Sequence, residues 1–307
     1  MGFFLEVLIG GLLAGVLYSL VALGFVLIFK ASGVFNFAQG AMVLTAALAL
    51  VRALDVFEQW HWPFGFALAA AFVFAAAVMA IVAWVAERMV LRKLVNQEGI
   101  ILFMATIGVT FILEGLSQTV FGADVYPLNI GLPKDPIFIL ESLFDGGILV
   151  NELDVWAAVI AGLLVAGLAV FFQRTRIGRA LRAVADDHAA AQSVGIPLNQ
   201  IWFIVWLVAG LVALVAGAVW GSKLGVQFSL SQVALKALPV VILGGFTSIP
   251  GAIVGGLLIG LGEKVSEVYL GPLLGGGIEN WFAYVLALAF LLIRPQGLFG
   301  ERIIERV

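Results

Sequence analysis

The stretch KASGVFNFAQGA, Lys30–Ala41, stands between two long apolar runs. It holds a lysine, a serine, an asparagine, a glutamine and two glycines, Gly33 and Gly40. Either it is a turn solvated at a membrane surface, or it is irregular polar backbone held at membrane depth. Its neighbours set the terms of that choice.

The chain has 307 residues, of which 63% are hydrophobic and only 11% charged. Its mean hydropathy is +1.15. A soluble domain needs roughly a quarter of its residues charged to cover its surface, so the solvent of this fold is lipid. A net charge of -3 and the lack of any basic stripe argue against nucleic acid as a partner. With no cysteine, disulfides, thiolate chemistry and Cys-ligated zinc are excluded. His61 and His188 stand alone, far apart in sequence, and make no metal site; His61 lies between Trp60 and Trp62 in an interfacial aromatic cluster. The start, MGFFLEVLIGGLLAG, has no base for a signal peptide and is expected to be the first transmembrane helix.

A helix needs about 20 predominantly apolar residues to cross the hydrocarbon. The sequence offers Phe4–Phe29, Ala38–Leu54, Phe64–Val85, Ile100–Val120, Val155–Phe172, Ile201–Gly221, Leu235–Leu261 and Trp281–Ile293. The fold expected is an all-α polytopic membrane protein with about eight transmembrane helices, discontinuous near 30–41 and 244–251. Two connections are basic: Glu87–Gly99, with Arg88, Arg92 and Lys93, and Gln173–Asn199, with Arg174, Arg176, Arg179 and Arg182. A third, Phe121–Asp154, is acidic. Basic short loops stay in the cytoplasm, so the first two face inward, the third outward, and Lys30 lies near the cytoplasmic end of the first helix. Eight full crossings would leave the tail with Arg294, Arg302 and Arg306 outside, against the same rule. The Gly-rich LGGFTSIPGAIVGG in the seventh segment offers a way out, as a pair of half-helices entering and leaving on one side.

On this frame Lys30 suits an interface, where its stem can snorkel. Asn36 and Gln39 would line a pathway or brace a broken second helix. Thr247 and Ser248 at the second break would meet a solute or cap a half-helix, whose N-terminus suits a carboxylate. Gly251, Gly255, Gly256 and Gly260 form small-xxx-small pairs suited to close helix packing. Glu114 is the clearest ionisable residue inside a predicted span, with Thr106, Thr110, Ser117 and Gln118 on or near its face. A cytoplasmic helix is expected over about Gly178–Val194, capped by Gly195 and stopped by Pro197. Arg179 and Arg182 oppose that helix's own dipole. They suit either lipid phosphates or, with Asp186 and Asp187, a cytoplasmic partner. No nucleophile–base arrangement stands out, so a membrane-embedded enzyme is disfavoured. A stand-alone channel or secondary transporter would ordinarily carry more buried charge.

SGVFNFAQGAM after the first helix, LGGFTSIPGAIVGGLLIG in the seventh segment and the ending RPQGLFG occur in the order found in LivH-type permease subunits of ABC importers for branched-chain amino acids, which the chain resembles over nearly its whole length. Permeases of urea, short-amide and some organic-acid importers look similar, and ribose-type sugar permeases are more distant. The resemblance implies a single permease domain over 1–307 in a bacterial inner membrane, with a coupling segment at about 174–199 and an outer loop at about 121–154. It implies a LivM-like second permease, two cytoplasmic LivG/LivF-like ATPases carrying the ATP-Mg, and a periplasmic binding protein. The coupling residues would be Arg179, Arg182, Asp186, Asp187 and Gly195. No cofactor is expected on this chain. The absence of any Gly-Lys dipeptide agrees, since a phosphate-binding P-loop requires one.

Overall fold

The computed structural model describes residues 2–94, 97–139, 147–186 and 188–300, with backbone alone at 188 and 189. Helices dominate it: α1 Gly2–Ser32, α2 Gln39–Gln59, α3 Phe64–Val85, α4 Gly99–Phe121, α5 Glu152–Arg174, α6 Arg176–Asp186, α7 His188–Ser193, α8 Leu198–Leu224, α9 Val233–Gly244, α10 Ile249–Leu274 and α11 Phe282–Ile293. Among the described residues seven helices are long and apolar enough to cross a membrane, and two shorter apolar stretches, Phe228–Gly244 and Phe282–Ile293, accompany them. The protein is an all-α polytopic membrane protein. Its antiparallel hairpin, β1 Pro136–Ile139 with β2 Ile148–Asn151, lies within the acidic loop, where the sequence suggests no strand.

One expectation is corrected. The seventh segment is not a pair of half-helices: α9 is short, but α10 is a full helix of 26 residues. The cytoplasmic helix expected over Gly178–Val194 is helical over Arg176–Asp186 (α6) and His188–Ser193 (α7), and Asp187 lies outside the described residues.

The described residues form two compact units, one from Met1–Val26, Gly131–Leu163 and Leu235–Val307, the other from Leu27–Ile130 and Leu164–Ala234. In the second unit α2 packs against α3, α4 and α8. The physical reason is legible along α3. Ala67, Ala71, Ala75, Met79 and Ala83 recur every fourth residue and are all buried. Phe66 and Val73, on other faces, are each 70% exposed. A helix apolar on both its packed and its open faces is stable only with lipid on the open side. Past α8 the chain closes on the acidic loop through reciprocal bonds between Tyr126 and Val226 (N–H to O 2.9 and 2.8 Å), and Arg52 lies 5.0 Å from the Tyr126 ring centre.

In the first unit α10 runs antiparallel to the start of α1, with Gly11 and Gly15 facing Gly260 and Gly256 so closely that the backbones touch. The Ser19 hydroxyl donates to Gly15 O (2.9 Å) at this crossing. Gly251 and Gly255 face α9 instead. The small-residue pairs thus serve helix packing on both sides of α10. Pro239 inside α9 has no N–H for Leu235 O; the Tyr284 hydroxyl of α11 donates to that carbonyl at 2.8 Å. After α11 the chain returns to the end of α9, where Leu298 N–H donates to Leu243 O (2.8 Å) and Phe299 N–H to Gly244 O (3.1 Å).

Candidate functional site

The opening stretch is a buried break. Helix α1 ends at Ser32, Gly33 turns with φ +67°, and α2 begins at Gln39. Asn36 has no exposed surface, and neither has Gln39. A solvated turn is therefore not what this segment is, and irregular backbone at such depth needs partners from the protein. Asn36 supplies several. Its Oδ1 accepts from Ala38 N–H (3.1 Å), its Nδ2 reaches Met42 Sδ (3.6 Å), and its carbonyl accepts from Gln39 N–H (3.3 Å). Asn36 and Gln39 do not share a helical face, because Asn36 lies before the helix.

Thr106 of α4 completes the brace. Its hydroxyl oxygen accepts from Phe37 N–H at 3.0 Å and lies 2.8 Å from Phe103 O, to which it donates. The Phe103 ring packs near those of Phe35 and Phe37, with centroids 6.2 and 6.1 Å apart. At Gly40 a Cβ would lie 2.3 Å from Ser231 O, so only glycine lets the backbones meet there. Gln39 differs from all of these: among the described residues neither its Oε1 nor its Nε2 has a hydrogen-bond partner. A buried amide left unsatisfied costs about 1–3 kcal/mol. That cost is recovered only if water or a solute reaches the side chain.

Thr110 and Ser117 of α4 are buried like Thr106 and are engaged. Thr110 donates back to Thr106 O (2.9 Å), and Ser117 pairs with Thr45 of α2 (2.8 Å). Glu114 is half-buried and makes no hydrogen bond or ion pair among the described residues. At the second break Ser248 caps α10, its hydroxyl accepting from Gly251 N–H at 3.0 Å. Thr247 is half-buried and forms no hydrogen bond among the described residues. Thr247 and Ser248 belong to the first unit, while Asn36, Gln39, Thr106, Thr110 and Glu114 belong to the second.

In the coupling segment Gly178, Leu181 and Val184 are buried while Arg179 and Asp186 are exposed. Arg182 donates to Phe172 O in the last turn of α5. Its placement, unfavourable for α6 alone, is favourable for α5, whose C-terminal dipole attracts a cation. Thr175 joins the helices by donating to Phe171 O (2.7 Å) and accepting from Gly178 N–H (2.9 Å). Gly195 adopts φ +84° and closes α7, its N–H bonding Gln192 O (3.0 Å) while Ile196 N–H bonds Ala191 O (3.0 Å). This is the cap expected from the sequence.

One buried acid escaped the sequence reading. Glu263, in α10, is 4% exposed, hydrogen-bonds the buried Tyr18 of α1 and leaves Oε1 without a partner among the described residues. The span expected from the sequence stops at Leu261, two residues short of Glu263, whereas α10 runs on to Leu274. The clue was the apolar VYLG that follows Glu263.

Residues 7–294 match the family described as branched-chain amino acid transport system / permease component. The high-affinity branched-chain amino acid transport system permease protein LivH of Escherichia coli (strain K12) is 27% identical, the alignment covering 99% of this chain and 98% of LivH. BraD of Pseudomonas aeruginosa, a permease protein described in the same words, is 28% identical, with 99% and 98% covered. The ribose import permease RbsC of Haemophilus influenzae is 28% identical but over 52% of this chain and 50% of its own. Sugar permeases are thus the more distant kin, as the motifs imply. With its lipid-facing helices, its protein-covered breaks and a family match across nearly its whole length, this chain belongs to the branched-chain amino acid transport system permease family.

Proposed function

We propose that this chain is the membrane permease subunit of an ATP-driven importer in a bacterial inner membrane, moving branched-chain amino acids handed over by a periplasmic binding protein. The observation that carries this reading is end-to-end kinship with LivH and BraD, whose names state that transport. A LivM-like second permease would complete the pathway, and two LivG/LivF-like ATPases would bind and hydrolyse ATP-Mg. If each of the nine apolar helices crosses once, an outer N-terminus places the C-terminal tail inside, where its arginines belong. Splitting the seventh segment into α9 and α10 supplies the crossing that eight segments lacked.

In the mechanism, ATP-driven closure of the ATPases moves α6 and α7, and α5 follows through Thr175 and Arg182. The permeases alternate between outward and inward access around a largely apolar path suited to aliphatic side chains. The Gln39 amide meets the passing solute, while Asn36 and Thr106 hold the break in shape around it. Thr110 and Glu114 border that path. One weak polar contact suits a pathway that must release what it receives. Two measurements test the reading. ATPase activity of the purified full complex should be stimulated by leucine, isoleucine or valine with binding protein present; stimulation by urea or a small acid instead would move the chain to a related importer. Asp186→Lys should uncouple uptake from hydrolysis while the complex still assembles, and wild-type uptake would remove Asp186 from the coupling surface.

A further inference from the structure

At the Lys30 end of α1 a shallow open cleft is lined by Leu27, Lys30, Ala31, Phe172, Leu181 and Arg182. Two cations face it and no acid does. Among the described residues Lys30 makes no hydrogen bond or ion pair, and Arg182 bonds the Phe172 carbonyl alone. The remaining wall is apolar. Two cations placed together without a counter-charge repel each other, and each gains from a shared anion. We propose that this cleft binds the phosphate of an anionic phospholipid from the cytoplasmic leaflet, the head group between Lys30 and Arg182 and an acyl chain along Leu27 and Phe172.

The recognising chemistry is a phosphate monoanion held by an ammonium and a guanidinium. A free phosphate offers the same charge, but it has no use for four apolar lining residues, whereas basic pockets between membrane helices at the cytoplasmic face suit lipid head groups. The site has a mechanical consequence. Lys30 stands just before the Gly33 turn that opens the break, and Arg182 belongs to α6. A lipid in the cleft would therefore tie the foot of α1 to the coupling segment.

Native mass spectrometry of the full complex, purified from membranes holding phosphatidylglycerol, tests the idea. The wild type should retain a phosphatidylglycerol that Lys30→Gln loses by about fivefold. Lys30→Arg should retain it, and so should Arg176→Gln, which removes an exposed charge outside the cleft. Equal retention in Lys30→Gln and Arg176→Gln would overturn the site. On the wild-type complex alone, added phosphatidylglycerol should raise the melting temperature where phosphatidylcholine and inorganic phosphate do not. Protection by inorganic phosphate to the same degree would overturn the lipid as occupant, and no protection by either would overturn the site.

Discussion

The two helix breaks differ in how they are filled. At 245–248 the chain closes the gap itself: Ser248 caps α10, and Leu298 and Phe299 bring N–H groups to the end of α9. At 33–38 Asn36 and Thr106 satisfy backbone groups, but the buried Gln39 amide has no hydrogen-bond partner among the described residues. Both breaks rely on glycine for close approach, at Gly244 against Gly251 and at Gly40 against Ser231. The difference teaches that an interrupted helix can be closed by its own chain or be left with a buried polar group to satisfy. What distinguishes the first break is a desolvated polar group that the fold fails to pair.

Substitutions can break or sharpen this contrast. The largest effect is expected at the closed break: a Cβ at Gly244 would lie 2.2 Å from Gly251 O, so Gly244→Val should cost about 3 kcal/mol or more and deplete folded protein in detergent thermal-melt assays. Gln39→Leu should do the reverse. It removes an unpaired amide while keeping the volume, so stability should hold or rise, yet leucine uptake per folded complex should fall about tenfold, the loss of roughly one hydrogen bond to solute. Thr106→Val should lower stability by about 1 kcal/mol through the orphaned Phe37 N–H, with uptake falling only in step with protein level. Ser248→Ala should be mildest, again about 1 kcal/mol or less, with uptake per folded complex unchanged.

The long spans were legible because a 20-residue apolar run has one solution in lipid; α3 Phe64–Val85 matches its predicted bounds. The α9–α10 split was half legible. Gly244, Gly245 and Pro250 marked the place, but α10 continues through Glu263 and Lys264, a charge pair that hydropathy treats as an end. Asp187, predicted at the coupling surface, lies outside the described residues. At the candidate site the residue types were legible and their division of labour was not. Asn36 and Gln39 look equivalent in sequence, and only the partners of each, set by Met42, Ala38 and α4, separate the brace from the unfilled amide. Arg182 was misleading for a similar reason: its favourable dipole belongs to α5, a different helix from its own.

The most direct test uses the absence of native cysteine. Gln39→Cys and, separately, Ser248→Cys would be introduced into the full complex and labelled with a small methanethiosulfonate reagent during ATP turnover. Cys at 39 should label and be protected by leucine with binding protein, while Cys at 248 should show no such protection. A position 39 that stays unlabelled in every nucleotide state, or that labels without regard to leucine, would contradict the claim that the first break opens onto the solute's path.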